Sequence, residues 1–210
     1  MNKLGDLSCN EFLTELASAA PAPGGGGGAA MAGALAAALA SMVANLTIGK
    51  EKFADREPEV KELLKQAEAE RVRLLTLVDE DAAVFNSFMS CYKLPKTTDE
   101  EKAARTAAIR AAAKQAATVP LNIARSSFAV LKLADRLVVA GNPGVITDAA
   151  CSGLLARAAL RCAEYNVRIN LGLTKDEVWN AQAAADLKKL LADAEALETR
   201  LLAVTDKALQ

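Results

Sequence analysis

One carboxylate, Asp81, lies on the apolar stripe of a long helix predicted from about Pro58 to Tyr92. The stripe advances in steps of four, three, four, three and four residues: Leu74, Val78, Asp81, Phe85, Phe88 and Tyr92. Burying a carboxylate is costly unless it is paired or functional, and burial raises its pKa. Asp81 is therefore a candidate acid–base group, and the alternative is a structural aspartate bonded to a neighbouring helix.

The chain contains no histidine, the side chain that most often transfers protons near neutral pH. Proton transfer therefore falls to a carboxylate, Lys, Tyr, Cys or water. No metal site is expected, because the four cysteines show no C-x-x-C spacing. They are predicted to be reduced, partly buried thiols: Cys9, Cys91, Cys151 and Cys162. Core packing would explain why Cys151 and Cys162 share one helix face.

Five consecutive glycines begin at Gly24 and lead into a stretch without charge until Lys50. We expect them to form a tight loop before a helix over Ala29–Ile48, where alanine, the best helix former, dominates. Backbone N–H groups at such a helix start attract an anion or the polar edge of a heterocycle. Gly24, Gly26 and Ala29 formally match the dinucleotide motif G-x-G-x-x-A, but no strand precedes them, and a Walker motif is absent.

The helix over Ala29–Ile48 has two apolar stripes and no charged face that would point to solvent. One stripe has larger side chains: Met31, Leu35, Leu39, Met42, Val43 and Leu46. The other is smooth: Ala30, Gly33, Ala37, Ala40 and Ala44. The length permits a transmembrane helix, but the composition favours a central core helix. The smooth stripe also invites a second copy of the chain, so we expect a homodimer.

A later helix, predicted from Thr147 to about Leu171, is unusually polar. It carries Arg157, Arg161, Asn166, Arg168 and Asn170. Asn166 and Asn170 share one face at i,i+4 spacing. Asparagine is a poor helix former, so two on one face favour a binding surface, although polar helix residues also serve as inter-helix bonds.

The whole chain is predicted as helices joined by short, turn-rich connections. The remaining predicted helices are Leu7–Ala19, Thr98–Thr118, Pro120–Val138 and Thr174–Ala208, with capping boxes at Ser8/Glu11, Thr98/Glu101 and Thr174/Glu177. No strand pair is visible. The expected fold is therefore all-α: an antiparallel multi-helix bundle without a sheet, forming one domain over residues 1–210.

Charge and composition exclude several partner classes. The formal net charge of the 210 residues is −1, so neither nucleic acid nor an anionic membrane surface is an expected partner. Asp6, Glu11 and Glu15 interrupt what would have to be a secretion leader. We therefore expect a cytoplasmic protein without membrane association.

The motifs together resemble the formiminotransferase-cyclodeaminase and methenyltetrahydrofolate cyclohydrolase family, which acts on tetrahydrofolate one-carbon units. The resemblance covers essentially the whole chain and rests on Phe12-Leu13, Pro21-x-Pro23-Gly24-Gly25-Gly26, Ser41-Met42-Val43-x-Asn45-Leu46-Thr47-x-Gly49-Lys50, Asp79-x-Asp81-x-x-x-Phe85, Leu94-Pro95-Lys96, Pro120-Leu121, Gly141-Asn142 and Asn166-Val167-x-x-Asn170. The chain departs from the family pattern in having five glycines where three are usual, and Thr147-Asp148 where Ser-Asp is common.

The resemblance implies a dimer with its site near the subunit interface, and Asp81 as the counterpart of the deaminase's catalytic aspartate. The residues it implies for substrate binding are Gly24, Gly25, Gly26, Asn45, Lys50, Asn142, Asp148, Arg161, Asn166 and Asn170. The glycines would hold the pterin or the reacting carbon. The asparagines would hydrogen-bond the pterin, and Lys50 and Arg161 would meet the glutamate tail.

Two reactions are implied by this resemblance. In a cyclohydrolase, water adds to the carbon bridging N5 and N10 of 5,10-methenyltetrahydrofolate, and 10-formyltetrahydrofolate forms. In a cyclodeaminase, N10 attacks the formimino carbon on N5, and ammonia leaves. The stand-alone length and the Asn-Leu-Thr-Ile-Gly-Lys segment favour the cyclohydrolase, with no cofactor beyond the folate. A non-catalytic helical interaction protein is the remaining alternative, but it would not need Asp81 on an apolar stripe.

Overall fold

The structure is a computed structural model that describes residues 3–210, and this range contains helices but no strand. The six α-helices are α1 (Cys9–Leu16), α2 (Gly25–Asn45), α3 (Glu57–Cys91), α4 (Asp99–Ala140), α5 (Ile146–Thr174) and α6 (Glu177–Ala208). Short 3-10 turns occupy Leu4–Asp6, Glu51–Phe53 and Pro143–Val145. The prediction of an all-α bundle without a sheet is confirmed for the described range.

Short connections reverse the chain between successive long helices. Contacts between opposite ends fix the directions: Gly26 with Asp81, Glu59 with Arg136, and Ala116 with Asn170. Lys175, in the left-handed conformation at φ 55°, ends α5 and turns the chain into α6. α2 packs against α3, α4 and α5, so the predicted central helix is indeed in the middle of the bundle.

Two of the predicted helix caps are present and one is wrong. Ser8 with Glu11 and Thr98 with Glu101 form complete capping boxes at α1 and α4. Thr174 does not cap α6, because it is the last residue of α5. Asp176 takes that place and accepts a hydrogen bond from the Trp179 backbone N–H at 3.0 Å. The bounds of α5 also differ from the prediction, because it begins at Ile146, one residue before Thr147, and continues beyond Leu171 to Thr174.

The glycine run is helical, so the prediction of a glycine loop is wrong. Gly24 is the N-cap, and α2 begins at Gly25. The Gly28 N–H donates to the Gly24 carbonyl at 2.9 Å, which closes the first helical turn. Each glycine is about 1 kcal/mol less favourable in a helix than alanine. Close packing overrides that preference here, because a Cβ at Gly26 would overlap the Asp81 carboxylate.

Pro120 lies inside α4, so the prediction of two helices meeting at this proline is also wrong. α4 runs unbroken for 42 residues. Proline in a helix interior costs about 3 kcal/mol, because it lacks an N–H and crowds the preceding turn. The surrounding segment is in the protein core, where Val119, Leu121 and Ile123 are buried. Apolar burial on this scale holds the helix together across the proline.

The two stripes of α2 face opposite surroundings. The smooth stripe, Ala30, Gly33, Ala37, Ala40 and Ala44, is buried within the chain itself. It packs against the other helices of the bundle, and not against a second copy as expected. Three large side chains of the other stripe remain exposed: Leu35, Met42 and Leu46. Small residues face inward because they let neighbouring helices approach α2 closely.

α2 is also the one helix in the described range that is long and apolar enough to cross a membrane. Of its most apolar 18-residue window, 61% is buried inside the protein. This burial is typical of a core helix. Cys91 is half-buried as predicted, but the other three cysteines are exposed and not partly buried: Cys9, Cys151 and Cys162. Cys151 and Cys162 share a face of α5 as predicted, but it is the outward face.

Candidate active site

Asp81 of α3 lies against the bare first turn of α2. Its carboxylate accepts a hydrogen bond from the Gly27 backbone N–H. The carboxylate occupies the space that a side chain at Gly26 would need. The first backbone N–H groups of a helix have no partners within the helix and carry its positive dipole end. Asp81 therefore touches the most electropositive backbone of α2.

Burial raises the pKa of the Asp81 carboxyl above its usual 3.8, and the hydrogen bond from Gly27 opposes this shift in part. None of the ion pairs among residues 3–210 includes Asp81. Desolvation thus outweighs the favourable helix end. A carboxyl with a raised pKa can both accept and return a proton near neutral pH, which is what an acid–base catalyst needs.

A cavity of about 350 Å³ opens beside Asp81 and the start of α2. Its lining comes from the segment before α2 and from four helices: Pro21, Ala22, Gly24, Gly25, Gly26, Asp81, Val84, Phe85, Phe88, Ala116, Val119, Pro120, Asn166, Ile169, Asn170 and Leu173. Apolar and aromatic walls with a few convergent polar groups are typical of a small-molecule site. No Lys or Arg is part of this lining within the described residues.

A larger groove of about 710 Å³ lies elsewhere, between α3, α4 and α6. Four of its seven charged side chains pair with one another: Arg136 with Glu59, and Arg200 with the buried Asp135. Among the described residues, its lining contains no glycine and no aromatic side chain. We therefore assign the candidate site to the smaller cavity, which contains the desolvated carboxylate and the helix end.

The two asparagines of α5 face this cavity together. Asn166 lies beside the helix start, because an added Cβ at Gly25 would be 3.5 Å from the Asn166 side-chain nitrogen. The Asn166 Nδ2 donates to the Cys162 carbonyl at 2.9 Å. The Asn170 Nδ2 donates to the carbonyls of Asn166 at 2.8 Å and Ala116 at 3.0 Å. The fold thus unites Asp81, Gly24, Gly25, Gly26, Asn166 and Asn170, six of the residues selected from sequence.

Four other selected residues lie near the opposite end of α2, away from this cavity within one protomer: Asn45, Lys50, Asn142 and Asp148. A helix of 21 residues is about 30 Å long, since each residue rises about 1.5 Å. The Asn142 N–H donates to the Thr47 hydroxyl at 2.8 Å, and its side-chain nitrogen donates to the Leu46 carbonyl at 3.1 Å. These bonds tie the start of α5 to the end of α2.

Arg161 is on α5 but does not line the cavity. Its guanidinium pairs with the buried Glu164 at 2.5 Å, and Arg168 pairs with the same carboxylate at 3.3 Å. A carboxylate that is only 8% exposed needs such partners. In this structure the role of Arg161 is therefore to pair with the charge of the buried Glu164.

Four residues that line the cavity are not among the substrate-binding residues predicted from the sequence: Phe85, Phe88, Val119 and Pro120. Phe85 and Phe88 belong to the apolar stripe of α3, for which core packing is the simpler interpretation, although Phe85 is also the last residue of the motif that contains Asp81. Their positions one and two helical turns after Asp81 are the available sequence signal. Pro120 belongs to the Pro120-Leu121 motif, but the prediction that it begins a helix gives no reason to place it in the wall of a cavity.

The model of the formiminotransferase-cyclodeaminase family matches residues 8–189. The chain belongs to this family. It is 44% identical over 197 residues to the methenyltetrahydrofolate cyclohydrolase of Methylorubrum extorquens. The matched residues cover 94% of this chain and 95% of that protein. It is 33% identical over 184 residues to the formimidoyltransferase-cyclodeaminase of Sus scrofa, and spans about a third (34%) of that longer protein.

A solved structure is similar to this chain in both fold and sequence. The crystal structure of formiminotetrahydrofolate cyclodeaminase from Thermotoga maritima superimposes with a TM-score of 0.88 and is 29% identical. The match covers 98% of each chain. The helical bundle is therefore shared with this cyclodeaminase over nearly the whole of both chains, and the similar proteins include one named as a cyclohydrolase and others named as cyclodeaminases.

Proposed function

We propose that this chain is a methenyltetrahydrofolate cyclohydrolase, which reversibly hydrolyses 5,10-methenyltetrahydrofolate to 10-formyltetrahydrofolate. The Methylorubrum extorquens protein supports this choice, since it is similar to this chain over nearly the whole of both lengths. The observation that carries the chemistry is the unpaired, desolvated Asp81 carboxyl at the glycine turn of α2.

Asp81 acts as the base for the attacking water in this proposal. Water adds to the amidinium carbon between N5 and N10, and the carboxylate takes one of its protons. The resulting tetrahedral carbon carries a hydroxyl group, and the bond from this carbon to N5 breaks as Asp81 returns its proton to N5. The hydroxyl group loses its own proton to water as the formyl carbonyl forms on N10, so the cationic substrate gives a neutral product and one released proton. A single carboxyl suffices for both transfers because its raised pKa lies closer to neutrality.

The surroundings of Asp81 favour this reaction electrostatically. The methenyl substrate is a cation at the reacting carbon, and the ionised carboxylate stabilises it. The backbone N–H groups of Gly25 and Gly26 stand at the α2 N-terminus and stabilise oxygen-centred negative charge as water adds. Phe85 and Phe88 offer flat apolar surface for the ring system, and Asn166 and Asn170 offer amide groups for its polar edge.

The test is the loss of the methenyltetrahydrofolate ultraviolet band when protein is added. Asp81→Asn keeps the shape of the side chain but removes the base, so at least about a hundredfold loss of kcat is expected. Glu80→Gln is the matched control, because Glu80 is adjacent on α3 but pairs with Arg73 at 2.7 Å outside the cavity. Full activity in Asp81→Asn would remove Asp81 from this role. Absence of turnover by the wild-type protein would exclude the cyclohydrolase, and the non-catalytic interaction protein would follow only if ammonia release from 5-formiminotetrahydrofolate were absent as well.

The second candidate is a formiminotetrahydrofolate cyclodeaminase, favoured by the similarity to the Thermotoga maritima enzyme. The same carboxyl would then deprotonate N10 as it attacks the formimino carbon, and would protonate the departing ammonia. Both reactions pass through a tetrahedral carbon between the two nitrogens. Release of ammonia from 5-formiminotetrahydrofolate separates the two candidates, because the cyclohydrolase releases none.

The proposal includes a homodimer, with the folate as substrate and no other cofactor, in the cytoplasm and without membrane or nucleic-acid partners. Exposed apolar side chains on two adjacent helices support the dimer: Leu35, Met42 and Leu46 on α2, and Leu154, Tyr165 and Ile169 on α5. Ile169 is 72% exposed and also borders the cavity. A second copy on this face would therefore adjoin the site.

Light scattering at several protein concentrations tests the dimer. The wild-type protein is expected at twice the chain mass of 21.9 kDa. Leu35→Glu places a charge in the proposed interface and should yield monomers, because an unpaired buried charge is strongly unfavourable. Val72→Glu is the control, since Val72 is similarly exposed on α3 outside that face. A wild-type monomer at all concentrations would contradict the dimer.

A further inference from the structure

We propose that Pro120 is a positioning residue for the substrate: it leaves the Ala116 carbonyl free to hold the Asn170 amide, so that the Asn170 oxygen faces the ligand. This inference rests on the proposed function for the identity of the ligand. It concerns a contact between two helices, and the geometry of that contact is present without substrate.

The backbone carbonyl of Ala116 lacks its regular helical hydrogen-bond donor. In an α-helix, the carbonyl of residue i accepts from the N–H of residue i+4. Residue i+4 of Ala116 is Pro120, which has no N–H, so this regular bond cannot form. Ala116 is half-buried in the cavity wall. A polar backbone group in such a place needs another partner.

Asn170 supplies this partner from α5. Its Nδ2 donates to the Ala116 carbonyl at 3.0 Å and to the Asn166 carbonyl at 2.8 Å. Both partners are acceptors, so the nitrogen of the amide, and not the oxygen, has to face them. With both amide hydrogens engaged, the side chain retains only its oxygen for other partners within the described part of the chain.

The orientation of the Asn170 amide makes the site prefer a ligand that presents a hydrogen-bond donor there. Asn170 lines the cavity, and its free oxygen accepts a hydrogen bond from a ligand N–H. The pyrimidine edge of a reduced pterin carries such N–H groups. A ligand that presents an acceptor at the same place leaves both groups unpaired, which costs more than the bond gains. Asn170 is thereby a specificity-determining residue, and Pro120 acts through it.

Pro120 is unusual because it lies in the interior of a long helix. Proline in a helix interior is unfavourable compared with alanine, and α4 is otherwise regular around it. If the proline had only a packing role, alanine would be the better residue for the helix. The link from Pro120 through Ala116 to Asn170 gives a use for the missing N–H at the cavity wall.

Pro120→Ala tests the proposal, because it restores the N–H and lets the Ala116 carbonyl form its helical bond. We expect a KM for methenyltetrahydrofolate about three- to tenfold higher, the range for one neutral hydrogen bond. kcat should remain within about twofold, since Asp81 is not touched. The midpoint of thermal unfolding should not fall, because alanine suits the helix better. Pro120→Ser supplies the same N–H if the alanine variant is not recovered.

Two further measurements separate this role from a general change in the wall. Asn170→Ala should raise KM to a similar extent, and adding Pro120→Ala to it should change KM no further, since one variant acts through the other. In the ligand-free protein labelled with ¹⁵N, Pro120→Ala should shift the side-chain amide resonances of Asn170. Val119→Ala, the neighbouring wall residue, should leave those resonances in place while it lowers stability.

Unchanged Asn170 resonances in Pro120→Ala, or KM effects that multiply in the double variant, would overturn the proposal. The readouts also distinguish the two levels of inference. If the wild-type protein converts no folate, the proposed function is wrong, and the amide resonances still decide whether Pro120 positions Asn170.

Discussion

Replacing Gly26 by alanine tests whether the bare turn of α2 is what gives Asp81 its place. In an ordinary helix this change is stabilising by about 1 kcal/mol. Here the added Cβ would stand 2.6 Å from the carboxyl carbon of Asp81 and 2.7 Å from one of its oxygens. Carbon atoms in contact prefer about 3.5–4.0 Å. The carboxyl group therefore has to move by about 1 Å.

The size of that movement sets the expected loss. A misplacement of about 1 Å in a reacting group costs on the order of a hundredfold in rate. We therefore expect kcat of Gly26→Ala to fall about a hundredfold. The hydrogen bond from the Gly27 N–H to Asp81 should also break, so the variant loses both the position and the polar support of the carboxyl.

Gly28→Ala is the matched control in the same helical turn. Its added Cβ would have its nearest neighbour, a methyl carbon of Leu16, at 3.9 Å, an ordinary contact. This variant should gain stability, by about 0.5–1 kcal/mol, and keep its kcat. Steady-state assays and thermal unfolding of both variants are the measurements. If Gly26→Ala retains wild-type kcat, or if both variants lose activity equally, the argument from close approach is wrong.

Three further results are expected. Because burial raises the pKa of Asp81 above 3.8, kcat should fall on acidification with a midpoint above that value, as a pH–rate profile would show. The same shift means that the native state binds the proton more tightly than the unfolded chain, so ionisation of Asp81 reduces stability as pH rises. Asp81→Asn should therefore unfold at a higher temperature than wild type at pH 7, with a difference that shrinks towards pH about 4. Arg200→Met should cost about 3–5 kcal/mol in denaturant unfolding, because it leaves the buried Asp135 without its partner, whereas Asp135→Asn should cost less.

The helices and the key carboxylate could be predicted because both depend on local pattern. An apolar stripe with helical spacing marks a buried face of a helix, and Asp81 is the one acidic residue on the apolar stripe of α3. The capping boxes at Ser8 and Thr98 were readable for the same reason, since each is a contact over three residues. Six of the selected residues then meet at one cavity, but their roles in catalysis and binding stay predictions.

The errors arise where contacts distant in sequence override local preference. Glycine and proline are both poor in helices, yet Gly25 starts α2 and Pro120 lies within α4. In each case a partner from another helix decides the outcome: Asp81 of α3 needs the space at Gly26, and Asn170 of α5 takes the carbonyl freed by Pro120. No pattern in the sequence identifies these partners.

Residues that belong to the same family motifs do not all lie near Asp81 in the fold. Asn45, Lys50 and Asn142 belong to the segments that resemble the family, but they lie at the far end of α2 from Asp81. Within one protomer, Asn142 connects α5 to the last turn of α2. A linear motif records that residues occur together in a family, and only the fold tells which of them share a site.

The close packing around α2 explains why the site forms at its N-terminus. Its inward face consists of small residues throughout, and a Cβ at Gly33 would already lie 3.0 Å from Leu74 of α3 and 3.1 Å from Ser127 of α4. Helices held this near leave no room for side chains larger than alanine on the next turns of this stripe. At the helix end the same closeness requires a bare backbone at Gly26, where a Cβ would overlap the Asp81 carboxylate, and crowds Gly27, where a Cβ would lie 3.3 Å from Pro23. The desolvated carboxyl and the N–H groups beside it therefore result from one packing constraint on α2.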